Sequence, residues 1–173
     1  MNGCEFEVCK ICEKRRHGGV PVLNIVVTFP EYGVFREIAD SALEWAKNEL
    51  FDKVCREYDG DDDPRKKFRF GYEYKFLCEI RFWGDGLISA KTDVTLKDRR
   101  TGNTVSRNSF GTVIRESDGA LLPIEAFADS KTVKKYRKSR KNSFFIDKYG
   151  IILTQSDGKE SLLCENISDF WHF

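Results

Sequence analysis

Four residues near the start of the chain, Cys4, Cys9, Cys12 and His17, are of the types that hold soft metal ions. Thiolate and imidazole ligands this close together could close a tetrahedral zinc site, and Cys9 and Cys12 have the two-residue gap of a zinc knuckle. A structural zinc is therefore the one cofactor that the residues raise. A second ligand pair farther along, the usual completion of such a site, is lacking, so the plainer reading is an arm with free thiols. Redox work by Cys9 and Cys12 would need the βαβ context of a thioredoxin-like site, and the surrounding residues do not supply it. The other cysteines, Cys55, Cys78 and Cys164, are scattered and do not look like a disulfide framework.

Acid–base chemistry needs titratable groups held by a rigid scaffold. The only histidines are His17 and His172, near the two ends of the chain, so neither a Ser-His-Asp nor a Cys-His arrangement is indicated. Glu73 and Glu79 form a carboxylate pair, but both fall on the charged face of a strand, where solubility explains them. Gly84-Asp85-Gly86 reads as a hairpin turn rather than a phosphate loop. The expectation is a protein that is not an enzyme and has no catalytic residues.

Two groupings suit binding instead. Arg69, Arg81 and Trp83 occupy odd positions along one long alternating segment, and Arg with Trp is a frequent combination at binding hot spots. Lys131, Lys134, Lys135, Arg137, Lys138, Arg140 and Lys141 form a dense basic run that could meet phosphate or an acidic partner. A solvated helix surface is the simpler account of that run, and Tyr136 alone does not make a base-stacking platform. The 29 basic and 28 acidic residues nearly cancel, which argues against nucleic acid as a general partner.

The elements that must carry these residues are legible from periodicity. The chain of 173 residues is long enough for one sizeable core, and aromatic residues at 13% favour sheet. Residues 1–19 read as a cysteine-bearing arm, and 20–173 as a single domain. Leu23, Ile25, Val27 and Phe29 alternate as a strand, closed by Pro30-Glu31-Tyr32-Gly33. Phe35, Ile38, Ala42, Ala46, Leu50 and Val54 mark one apolar stripe of a long helix at about 34–56. From Phe68 to Phe82 every even position is apolar or aromatic, while the odd positions are mostly charged, which predicts a long strand with one buried face. Turns at Trp83–Gly86 and Asp98–Asn103 divide the following segments into a three-strand meander. Ser130 is placed to cap a helix at about 131–140, and Phe144–Thr154 reads as a last hairpin around Lys148-Tyr149-Gly150. The fold class is α+β: an antiparallel meander packed by one long N-terminal helix, with short helices and a C-terminal hairpin. No signal peptide and no membrane-length apolar run is visible, so the chain as it stands is expected to be soluble and cytoplasmic, with reduced thiols.

Three segments in order resemble a known family. They are VVTFPEYG at a strand end before a helix, YEYKFLCEIRFWGDGLISAKTDVTL, and FGTVIRESDGALLPIEAF followed later by FFIDKYGIILT. Together they resemble the DUF3298 domain, a bacterial module found as the C-terminal domain of RsiV-type anti-sigma factors and in some peptidoglycan deacetylases. The resemblance spans about residues 22–155. It implies an extracytoplasmic type of binding or sensing module for a protein or cell-wall-related ligand, with a protein partner favoured by the lysozyme-binding relatives. No catalytic residue is carried over, and the family's Gly-Gly-Ala-His stretch has no counterpart here. The leading expectation is thus a non-enzymatic binding module that uses Arg69, Arg81 and Trp83. The alternative is a cytoplasmic regulator with a zinc-stabilised arm (Cys4, Cys9, Cys12, His17) and a basic helix on nucleic acid.

Overall fold

A computed structural model of the protein describes residues 6–67, 69–139 and 142–165. Two sheets and one long helix dominate. The larger sheet holds β1 (Val8–His17), β2 (Val20–Pro30), β3 (Tyr72–Gly84), β4 (Leu87–Asp98) and β5 (Thr104–Arg115), in that spatial order. The smaller holds β6 (Asn142–Asp147), β7 (Gly150–Gln155) and β8 (Glu160–Glu165). The α+β class stands, with two corrections. The large sheet is mixed, because β2 and β3 pair in parallel, Leu23 opposite Tyr72 through Thr28 opposite Leu77. The long helix is not N-terminal, because two strands precede it. A parallel pair needs a crossover between its strands, and the helix is that crossover.

Residues 8–17, expected in the arm, form an edge strand antiparallel to β2 from Val8–Pro30 to His17–Val20. The signal was hidden by composition: Cys9, Ile11, Glu13, Arg15 and His17 alternate inward, but only one of them is a conventional strand-core residue. Residues 1–5 lie outside the described residues, Cys4 among them.

The described chain divides into two compact units, one of residues 1–77 and 94–107, the other of 78–93 and 108–173. In the first, β2 buries Leu23, Ile25, Val27 and Phe29, and β3 adds Tyr74 and Phe76. The long helix runs as α1 (Gly33–Trp45), a π-turn (Ala46–Leu50) and α2 (Phe51–Asp59). Its buried residues are Phe35, Ala39, Leu43, Ala46, Leu50 and Val54. Repeated four-residue steps outrun the helical period of about 3.6, and the π-turn takes up the difference so that one face stays on the core. The stripe drawn from sequence placed Ile38 and Ala42 where Ala39 and Leu43 are in fact buried. Each large apolar side chain so buried contributes about 1.5–3 kcal/mol.

In the second unit, Leu87, Val113, Ile124, Phe127, Ile146 and Leu153 share a core. Gly111 is required there, since a Cβ would overlap the backbone of Phe144 and Phe145. The expected last hairpin is β6–β7, paired from Asn142–Gln155 to Asp147–Gly150, and β8 extends it to three strands. The basic helix, α3 (Ser130–Lys138), is capped by Asp129 rather than Ser130: the Asp129 carboxylate accepts from Thr132 N at 2.7 Å. Arg140, Lys141 and His172, which the sequence analysis also named, lie outside the described residues. No helix among the described residues is long and apolar enough to cross a membrane.

Candidate functional site

The strand geometry of β1 decides where the cysteine–histidine group can act. At about 3.3 Å per residue, Cys9 and His17 stand roughly 26 Å apart, and Cys9 and Cys12 point to opposite faces. Cys9 and His17 each have a partner of their own. The Cys9 thiol donates to the Glu31 carboxylate at 2.5 Å, and that hydrogen bond, ahead of desolvation and neighbouring acids, pushes the thiol's pKa up. His17 Nε2 lies 2.8 Å from Asp59 Oδ1. The described members of the expected zinc set are therefore not brought together, and Cys4 lies outside the described residues. Among the described residues no group of three or more His, Cys, Asp or Glu side chains is placed to hold a metal ion. Cys78, buried on β3, has its thiol pushed up to about 11, chiefly by desolvation, so it stays protonated at neutral pH.

The three residues expected on one open strand face are divided. Arg81 and Trp83 do sit on the exposed face of β3. Both are held within their own unit. Arg81 reaches Glu160 at 3.6 Å and lies over the Phe145 ring at 5.5 Å. Trp83 Nε1 donates to Glu116 at 2.9 Å. Arg69 is not on the strand. The expected strand from Phe68 begins only at Tyr72, because Gly71 takes φ +152° and turns the backbone; Phe68 itself lies outside the described residues. Arg69 sits in the turn before that bend, and it belongs to the other unit.

What Arg69 joins was not foreseen. It lines a cleft of about 410 Å³ with Val20, Pro21, Phe70, Arg99 and Arg100. Topology assembles this site. The parallel pairing of β2 and β3 puts both strand starts at one end of the sheet, and β4 finishes there, with Arg99 N donating to Gly71 O at 2.9 Å. The turn Asp98–Asn103 then presents two consecutive arginines. Arg100 is held by three partners: its guanidinium lies 3.3 Å from Asp98, 3.4 Å from Asp61 and 5.1 Å from the centre of the buried Phe70 ring. Burial works to raise the Asp98 pKa, but the hydrogen bonds and charge of Arg100 outweigh it and hold that carboxyl below its usual range.

Arg99 is held differently. Its Nη1 donates to the Pro21 carbonyl at 3.4 Å, and it passes so close to Gly71 that a Cβ there would meet it at 3.3 Å. Among the described residues no carboxylate pairs with Arg99, and none pairs with the exposed Arg69. The adjacency of Arg99 and Arg100 was readable in sequence, but only the fold brings them to Arg69.

No family model and no curated protein matches this chain. Among solved structures it is similar to a DUF3298 family member from Bacteroides fragilis, with 12% identity and a TM-score of 0.48, over 86% of this chain and 82% of that one. It is also similar to a DUF3298 family protein from Pseudomonas aeruginosa PAO1, with 11% identity and a TM-score of 0.45, over 79% of this chain. The match covers 64% of that protein, so the chain spans less than two thirds of its length. Both neighbours are DUF3298 family proteins, the family that the sequence resembles.

Proposed function

We propose that this protein is a non-enzymatic binding or sensing module that recognises a protein or cell-wall-related ligand, and that the ligand enters the cleft at Arg69. One observation carries the reading: Arg69 is an exposed arginine at the rim of a recess, with no acidic partner among the described residues. A guanidinium carries five donors and a permanent charge, and folding alone gains nothing from setting it beside two others. Arg81 and Trp83, already engaged inside the protein, serve the scaffold in this account.

Calorimetric titration with soluble peptidoglycan fragments and with lysozyme tests the proposal. Saturable binding of one of them, weakened about tenfold or more by Arg69→Ala, is the expected result; tenfold corresponds to about 1.4 kcal/mol. Failure of both ligands to bind, or binding indifferent to Arg69→Ala, contradicts it.

A further inference from the structure

We infer that the cleft of Arg69, Arg99 and Arg100 takes an oxyanion, a carboxylate or phosphate group, whose apolar portion rests on Val20 and Pro21. This rests on the preceding reading that the cleft is where ligand enters, and it names the chemistry that the cleft selects.

Charge accounting leads there. Three guanidinium groups line one recess. Arg100 is answered by Asp98 and Asp61. Among the described residues the Arg99 guanidinium has only the neutral Pro21 backbone carbonyl as an acceptor, and Arg69 has none. The described residues therefore leave two cations unanswered in the same recess, where they repel one another and favour an incoming anion.

Residue type narrows the ligand further. The planar fork of arginine matches the two oxygens of a carboxylate or phosphate, and such charge-assisted pairs are stronger than neutral ones. Two forks that keep most of their donors can share one anion. The position of Arg99 supports this, since the Gly71 backbone leaves space for its guanidinium and the Pro21 carbonyl fixes its direction. Arg100, pinned on Phe70, forms a fixed wall.

Size and lining set the rest. A recess of about 410 Å³ falls at the lower end of small-ligand sites, about 300–1,000 Å³. It suits an acidic group with a small apolar body, such as a terminal residue or one sugar-sized unit, and Val20 and Pro21 supply half-buried apolar surface beside the cations.

The test uses the full chain and two probes, sodium benzoate and inorganic phosphate, followed by NMR of the amide and arginine side-chain N–H groups at constant ionic strength. Benzyl alcohol is the uncharged control. At least one oxyanion should give saturable shifts centred on Arg69, Arg99 and Gly71, weakened about tenfold or more by Arg69→Ala and by Arg99→Gln. Arg99→Lys, which keeps the charge but loses the fork, should fall between. Tighter benzoate assigns a carboxylate on an apolar carrier, and tighter phosphate assigns a phosphate. The amide spectrum of each variant shows whether the fold is intact, and Arg69, exposed and without an acidic partner among the described residues, provides the variant least able to disturb it.

The inference is overturned if neither oxyanion saturates, if benzyl alcohol binds equally well, or if Arg69→Ala changes nothing. Peptidoglycan fragments or lysozyme binding in an Arg69-dependent way while both oxyanions fail would leave the binding module standing and remove the oxyanion. Saturation by an oxyanion with neither larger ligand bound would do the reverse.

Discussion

The two units of this protein both gather cations, and they dispose of them in opposite ways. In the unit of residues 78–93 and 108–173, the buried Lys91 has its Nζ 2.6 Å from Glu160 and 3.1 Å from Asp93. Arg81 shares Glu160 at 3.6 Å, and the Ser109 hydroxyl donates to Asp93. In the unit of residues 1–77 and 94–107, Arg100 is neutralised in the same manner, but among the described residues Arg69 and Arg99 are not. An answered charge ties strands together, whereas an unanswered one is tolerated at some cost to the folded state. The contrast separates cations that hold the fold from cations available to a ligand.

The contrast is tested most severely at Lys91. Lys91→Ala removes the buried ammonium that pairs with both Glu160 and Asp93, and it should cost about 3 kcal/mol, the low end for breaking a buried pair because the carboxylates are partly exposed. Urea denaturation measures this; a change within about 0.5 kcal/mol, the range of ordinary surface substitutions, would mean that the network does not hold the unit.

A smaller and two-sided effect is expected at Asp98. Asp98→Asn keeps an oxygen to accept from Arg100 N but removes one of the two carboxylate charges beside Arg100. Stability should fall by about 1–2 kcal/mol, the scale of a charge-assisted hydrogen bond, while oxyanion affinity should rise modestly because Arg100 then keeps Asp61 alone of its two carboxylate partners. The pH dependence has the matching sign. The folded carboxyl of Asp98 titrates below its unfolded value, so its contribution is complete above the ordinary carboxylate range and is lost as pH falls through the folded pKa. Asp98→Asn should flatten that acid limb of the stability curve; an unchanged limb would assign the acid sensitivity elsewhere.

The smallest effect on stability belongs to Arg69. Arg69→Ala removes an exposed cation that has no acidic partner among the described residues, so the melting temperature should stay the same or rise slightly. A clear drop in a thermal melt would show that Arg69 is part of the scaffold.

How much of this could be read from sequence follows from where each signal resides. The β3 alternation, the long helix and the β6–β7 hairpin depend on local periodicity, and all three were visible. β1 was not, because a polar edge strand carries Cys, Glu, Arg and His at the positions where periodicity looks for apolar residues. The parallel β2–β3 pairing was missed because periodicity does not report strand direction. That pairing builds the cleft, so a site made of Pro21, Arg69 and Arg99 could not be assembled from spacing. Arg69 was expected on the long strand but lies in the turn before it, because Gly71 ends the alternation before it reaches the arginine. Arg81 and Trp83 were placed correctly on the open face of β3, but their partners Glu160 and Glu116 come from distant segments.

The most direct measurement is a side-by-side comparison of Arg69→Ala and Arg81→Ala, each titrated with phosphate and benzoate and each unfolded in urea. The account predicts that Arg69→Ala loses saturable oxyanion binding with unchanged stability, and that Arg81→Ala keeps the binding and loses stability through Glu160 and Phe145. Binding lost in Arg81→Ala but retained in Arg69→Ala would contradict it.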